Sequence, residues 1–229
     1  MDGSGEGSWP ARHALTTSVR GEESRSAPHG ATATGRDLEL AASGSGGKRR
    51  TDRELDGVRV AVQGLGAVGG AIVRRLLAAG AQVVAADIDP AAARRAAVLG
   101  ARIVSPRRLS GAAVDVFIPA AGGGTIDNVF AARCRARVVC GPENCALATP
   151  DAEPALLRRG IVYVPDTLAS AGGLITGVLY QLENRSDARA AVEGIGPRTT
   201  RLLREADRSG LLPSEVVRRT VLRRLSRGR

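Results

Sequence analysis

Three glycines and one aspartate between residues 64 and 87 have the types and spacing to grip a diphosphate and the sugar beside it. Gly64-Leu65-Gly66-Ala67-Val68-Gly69 is a G-x-G-x-x-G turn, set between a β-branched run (Val58 to Gln63) and a segment whose Val68, Ile72, Val73, Leu76 and Leu77 share one helical face. Each glycine has a task in that setting. Gly64 permits the tight turn, Gly66 lets the backbone approach a pyrophosphate, and Gly69 lets helix and strand pack closely. The helix that opens at Ala67 then offers unpaired N–H groups and partial positive charge to the phosphates. Asp87 closes the next strand, 18 residues after Gly69, where a carboxylate accepts hydrogen bonds from ribose hydroxyls, with Ile88 beside it. A 2′-phosphate would meet the charge of Asp87 and Asp89, so the cofactor expected is NAD rather than NADP. The competing reading is a glycine turn in a Rossmann-like domain that binds nothing.

The surrounding elements must hold that turn in place. Strands are expected over 58–63, 82–86, 101–104, 114–119, 137–140 and 161–164, alternating with helices over 67–79, 90–98, 126–133 and 152–159. Gly80 and Gly100 sit where helix C-caps belong, and Pro90 opens its helix. This alternation predicts an α/β, Rossmann-type doubly wound sheet, mostly parallel, followed by C-terminal helices over 174–183, 197–208 and 213–225. The expected division is an irregular segment over 1–25, a short helix and linker over 26–55, a nucleotide-binding domain over 56–190, and helices over 191–229 that pack on it. Within 26–55 the helix is read over 32–42 and the linker over 43–53.

Composition narrows the class. Hydrophobic residues make up 43% of the 229, enough for a core, but only 2% are aromatic, so Ala, Val, Leu and Ile must pack it. Net charge is +10, carried almost wholly by arginine, with no basic run interleaved with aromatics. Nucleic acid is therefore not the expected partner. Cys134, Cys140 and Cys145 lack metal-ligand spacing and have only His13 and His29 as companions, so they read as reduced thiols. No apolar run reaches membrane-spanning length and no signal peptide is evident, which predicts a cytoplasmic protein with neither a membrane partner nor a metal.

Further motifs follow in order: "DVFIPAAGGGTI" (115–126), "VVCGPENCAL" (138–147) and "GIVYVPDTLASAGGLI" (160–175), with "SAPHGATATG" (26–35) upstream. Together with the glycine turn, this series resembles the Glu/Leu/Phe/Val dehydrogenases, most of all the leucine/valine/phenylalanine branch. The last helices, "GIGPRTTRLLREADRSGLLPSEVVRRTVLRRL", resemble that family's C-terminal helices, so the likeness covers roughly residues 26–229.

The resemblance implies an NAD-dependent oxidoreductase that deaminates a branched-chain or aromatic L-amino acid to its 2-oxo acid, and a homo-oligomer. It places Thr32 near the nicotinamide carboxamide, Pro119, Ala120 and Ala121 around the cofactor, and Asn144 near the nicotinamide end. For Asn144 the alternative is a turn residue that bonds its own backbone. For Gly122-Gly123-Gly124 it is a flexible loop. Ser170 stands where the family has an asparagine that helps hold the substrate carboxylate, and Thr167 and Leu168 border the side-chain pocket.

The family's acid–base work belongs to a preceding substrate domain with lysines of lowered pKa. The chain's single lysine, Lys48, lies in a polar Gly/Arg stretch after the "TATG" signature, so it reads as solvated and no catalytic residue is recognisable. The expectation is a cofactor domain without its substrate domain, truncated or completed by a separate polypeptide, and not competent alone. The reading from another class is a non-catalytic NAD-sensing or interaction module that uses Arg218, Arg219, Arg223 and Arg224. A different NAD-dependent chemistry with substrate on Ser170 and Asn144 comes third.

Overall fold

The computed structural model describes residues 55–227. The readings made for residues 1–25, for a helix over 32–42, for a linker over 43–53, and for Thr32 and Lys48 lie outside the described residues. Strands and helices alternate as β1 (Arg59–Gln63), α1 (Ala67–Ala78), β2 (Gln82–Ala86), α2 (Pro90–Val98), β3 (Arg102–Ile103), α3 (Pro106–Leu109), β4 (Val116–Pro119), α4 (Asn128–Arg133), β5 (Val138–Val139), α5 (Ala152–Arg158) and β6 (Val162–Tyr163). Helices α6 (Asp166–Ala169), α7 (Ala171–Glu183), α8 (Arg189–Glu193), α9 (Ile195–Ser209) and α10 (Pro213–Arg227) complete the described chain.

All strand pairs are parallel, and the six strands lie in the order β3-β2-β1-β4-β5-β6. Chain order reverses between β1 and β4, so the loops leaving those strands diverge and open a crevice at their carboxyl ends. Both faces of the sheet are covered, which is why the strands read as continuous apolar runs rather than alternating ones. Val60, Val62, Val83, Ala85 and Ile118 face one layer, packed by Ile72 and Val73 of α1 and by Ala92 and Ala96 of α2. Their neighbours Ala61, Val84, Ala86, Phe117 and Val139 face the other, with Leu109, Phe130 and Leu156 of α3, α4 and α5. Each fully buried aliphatic or phenyl side chain stabilises the fold by about 1.5–3 kcal/mol. Phe117 and Phe130 meet edge to face, with centroids 4.7 Å apart. Small residues serve elsewhere: helix α2 buries only alanines, so it sits close to the sheet.

Element ends follow local chemistry. Asp89 caps α2 by accepting from the N–H groups of Ala91 and Ala92, with Pro90 at the first helical position. Gly80, at φ +89°, ends α1, and its N–H and that of Ala81 bond the carbonyls of Leu77 and Leu76. The helix expected from Ile126 starts at Asn128 instead, because Asp127 accepts from Phe130 N–H at 2.6 Å and acts as its cap. Ile126 is drawn into a parallel bridge with Leu147. Helix α7 begins at Ala171 rather than at 174, through Gly172 and Gly173. The short helices α3, α6 and α8, of four or five residues, are too brief for a hydrophobic period to betray.

The C-terminal helices pack on the β5–β6 side. Leu203 of α9 lies against Cys140, Val164 and Ala169, and Val192 of α8, with Ala188 before it and Ile195 of α9, clusters with Ile175 of α7. Glu153 of α5 is buried and accepts hydrogen bonds from both the N–H and the hydroxyl of Ser214, at the start of α10. Arg218 and Arg219 both pair with Glu215 at 2.7 Å, and Arg223 pairs with Glu205 of α9 at 3.1 Å. Three of the four arginines considered for an external partner are thus engaged within the chain. Among the described residues no helix is long and apolar enough to cross a membrane.

Candidate dinucleotide-binding site

The turn after β1 is shaped by its neighbours at two glycines and by none at the third. Gly64 has φ +93°, and a Cβ there would stand 2.4 Å from the Ala120 carbonyl oxygen. At Gly69 a Cβ would stand 1.9 Å from the Gly64 carbonyl oxygen, so α1 can approach β1 only because that position is bare. Gly66 differs. Its φ of −62° and ψ of −161° are open to any residue, and an added Cβ would meet no atom within 4 Å. Nothing among the described residues demands glycine at 66. A group brought in from outside does, if backbone must touch it.

Gly66 is also the N-cap of α1, and no side chain caps that helix. The opening N–H groups are left for solvent or an anion, on the partially positive end of a 12-residue helix. Ala67 is exposed there, while Val68 turns partly into the core.

Asp87 faces this turn. Its Oδ2 accepts from Leu65 N–H at 2.5 Å and its Oδ1 from Asp89 N–H at 2.8 Å. An ionised carboxylate offers about four lone-pair positions, so acceptor capacity remains for a pair of hydroxyls. Ile88 next to it is 93% exposed, an apolar side chain with no protein to cover it. Asp89 has a structural duty as the α2 cap and lies 3.9 Å from Arg95, so the unshared negative charge at this rim belongs chiefly to Asp87.

The opposite wall comes from β4. Ala120 N–H bonds the Gln63 carbonyl, and the Ala120 carbonyl lies against Gly64. Gly141, after β5, is pressed onto Pro119, where a Cβ would be 2.2 Å from the Pro119 oxygen. That contact delivers Glu143, only 3% exposed, beneath the glycine loop. Its carboxylate accepts from Ala121 N–H at 2.8 Å and Thr125 N–H at 3.1 Å, one at each end of Gly122-Gly123-Gly124. Gly124 N–H bonds the Cys145 carbonyl and Ile126 N–H that of Ala146. The triple-glycine run is therefore fastened at its base rather than loose. Asn144, between these anchors, is exposed, and its side chain makes no hydrogen bond among the described residues.

The 166–170 segment joins the same arc. Asp166 accepts from Ala146 N–H at 2.9 Å, tying α6 to the loop that carries Asn144. Ser170 spends its hydroxyl proton on the Asp166 carbonyl at 2.7 Å, leaving only its oxygen lone pairs to receive a donor. Leu168 is half-buried and Thr167 exposed. The structure thus brings together Gly64, Gly66, Ala67, Val68, Gly69, Asp87, Ile88, Pro119, Ala120, Ala121 and Asn144 along the crevice rim. Ser170 and Leu168 connect to them through Asp166. Sequence reasoning missed Glu143 and Asp166, since an acid that turns inward to bind backbone looks, in one dimension, like any surface acid.

Cys134 and Cys140 are buried, and burial pushes the Cys140 thiol up to about 12. Cys145 is exposed, in a left-handed conformation at φ +52°. Among the described residues no group of three His, Cys, Asp or Glu side chains is placed to hold a metal.

Strand order, an uncapped helix behind a glycine turn, and an acid at the end of β2 define a Rossmann-type nucleotide-binding fold. Residues 93–198 match the family model of Glutamate/Leucine/Phenylalanine/Valine dehydrogenase. Among curated proteins the chain is 38% identical over 129 residues to L-tryptophan dehydrogenase of Nostoc punctiforme, covering 56% of this chain and 36% of that one. It is 35% identical to leucine dehydrogenase of Thermoactinomyces intermedius (70% and 44% covered) and 31% identical to valine dehydrogenase of Streptomyces virginiae (78% and 51%). The crystal structure of L-tryptophan dehydrogenase from Nostoc punctiforme superposes with a TM-score of 0.77 at 30% identity, over 86% of this chain and 60% of that one. A hetero-hexameric glutamate dehydrogenase from Thermus thermophilus gives 0.62 at 28% identity, over 80% and 49%. The chain belongs to the Glutamate/Leucine/Phenylalanine/Valine dehydrogenase family, in its leucine/valine branch. It spans between about a third and a half of the length of these curated relatives.

Proposed function

We propose that the crevice at the carboxyl ends of β1, β2 and β4 binds NAD(H), and that the chain serves as the cofactor-holding part of an L-amino-acid dehydrogenase acting on a branched-chain or aromatic substrate. The observation that carries the reading is Gly66: its position faces open space above an uncapped helix N-terminus, where a Cβ would obstruct only a ligand. The pyrophosphate lies across residues 64–68, its charge met by N–H groups and the α1 dipole. The adenosine ribose hydroxyls donate to Asp87, and Ile88 flanks the adenine. Pro119, Ala120, Ala121 and Asn144 line the nicotinamide side, with Thr32 assigned there by resemblance alone.

NAD is preferred to NADP because a 2′-phosphate placed at Asp87 would set two anions together and displace its hydroxyl bonds. The bound nicotinamide supplies the hydride acceptor, and this chain's residues orient it. Substrate closes over the 166–170 segment, with Ser170 accepting from the amino acid and Leu168 bordering its side chain. Deprotonating the amine and hydrolysing the imine call for the lysines that the family resemblance assigns to a substrate domain, and the described residues hold no lysine, so turnover depends on such a domain. Calorimetry with purified chain tests the reading: NADH binds saturably, NADPH at least tenfold more weakly, and Asp87→Ala narrows that gap. Without a lysine-bearing domain, L-leucine, L-valine, L-phenylalanine and L-tryptophan leave NAD unreduced. A folded sample with no affinity for NADH would remove the proposal.

A further inference from the structure

We propose that Glu143 is a positioning residue, whose buried carboxylate sets the 121–125 loop as the nicotinamide-side wall of the crevice; this rests on the dinucleotide reading above. A carboxylate out of water is costly unless its oxygens are bonded, and here backbone alone bonds them. Oε2 takes the N–H of Ala121 and Oε1 that of Thr125, so one side chain staples both ends of a three-glycine arch. Glycines by themselves specify little. Gly123 and Gly124 sit at φ +102° and +67°, a shape that needs an external clamp to persist. The clamp is itself held, since Glu143 N–H bonds the Pro119 carbonyl at 3.3 Å and Gly141 is wedged on Pro119.

Pinned in this way, the arch leaves the N–H groups of Gly122 and Gly123, which donate to no described residue, directly after Ala120 and Ala121, whose backbone lies against Gly64 of the glycine turn. Two preset amide donors at that edge suit the polar end of a nicotinamide and not the adenosine, which lies across at Asp87. Glu143 therefore acts on one half of the cofactor through backbone that it never lets move.

The test separates the two halves of the ligand. NADH and ADP-ribose are titrated into the full chain and its Glu143→Gln variant, with thermal unfolding followed in parallel. A glutamine oxygen can accept from one of the two N–H groups while its NH2 opposes the other. NADH affinity is expected to fall about tenfold, the size of one lost charge-assisted hydrogen bond, while ADP-ribose stays within about twofold. Equal weakening of both ligands, or no change in either, overturns the inference and leaves the dinucleotide reading standing. Wild-type protein that binds neither ligand overturns both. Should Glu143→Gln fail to fold, amide exchange on the wild type decides. Ala121 and Thr125 exchange slowly and Gly122 and Gly123 fast, the latter two being protected by NADH but not by ADP-ribose. Uniform exchange across 121–125, with or without NADH, is the contrary result.

Discussion

Gly66 and Gly69 belong to one six-residue turn yet answer to different constraints, and the difference is testable. A methyl group at 69 would overlap the Gly64 carbonyl, so Gly69→Ala must push α1 off β1. Such overpacking costs about 1–3 kcal/mol or more. Gly66 has ordinary backbone angles and open space, so Gly66→Ala leaves the folded state nearly as stable as the wild type, at a cost under about 1 kcal/mol for alanine's weaker fit as an N-cap. NADH binding behaves the other way: it is lost in Gly66→Ala at wild-type melting temperature. Melting curves and NADH titrations on both variants check this, and a Gly66→Ala protein that binds NADH normally would contradict it. The motif was legible because all three glycines stood in register between strand and helix. Which glycine serves the fold and which the ligand was not, because it depends on what lies opposite each Cα.

At the scale of elements, α10 is fastened to the sheet layer by one buried acid. Burial raises the carboxyl of Glu153 above its ordinary value; the hydrogen bonds from Ser214 oppose that shift and the charge of Asp166 adds to it. A folded-state value above the unfolded one means the native protein holds the proton more tightly. The associated stability is full below the unfolded value and is lost as pH rises through the folded one. Wild-type melting temperature is thus expected to drop relative to Glu153→Gln as pH climbs from about 4 to about 8, the glutamine having no charge to desolvate. A gap between the two proteins that stays constant with pH, or widens in favour of the wild type, would refute the assignment. The start of α4 shows a related lesson. Apolar periodicity admitted Ile126 to the helix, but Asp127 caps it and Ile126 bonds sideways to Leu147. Local pattern identifies a helix; a side chain that competes for its first N–H groups sets its end.

For the molecule as a whole, ligand and fold are linked. In the proposed site NADH would touch loops from β1, β2 and β4, which stand on both core layers, so its binding is expected to stabilise the sheet as a unit. At a concentration 100 times its dissociation constant, NADH adds about 2.7 kcal/mol of stability, which raises the melting temperature by roughly 5–10 °C for a domain of this size. ADP-ribose at the same multiple of its own constant gives a comparable rise, whereas free nicotinamide gives none. A melting temperature indifferent to saturating NADH would mean that the crevice is not the binding surface.

Alternation of apolar strands with amphipathic helices and the glycine turn were enough to predict a parallel doubly wound sheet with a crevice at its carboxyl ends, because those signals are local and repeat at fixed periods. Five ordered motifs across the chain carried the family likeness in the same way. Only the tertiary structure decided that Glu143 and Asp166 turn inward to bind backbone, that Asp89 is occupied as a helix cap, and that the Ser170 hydroxyl donates to the Asp166 backbone carbonyl. A carboxylate's or a hydroxyl's task is set by whichever donor or acceptor the fold brings within about 3 Å, and that partner lies up to 61 residues away along the chain.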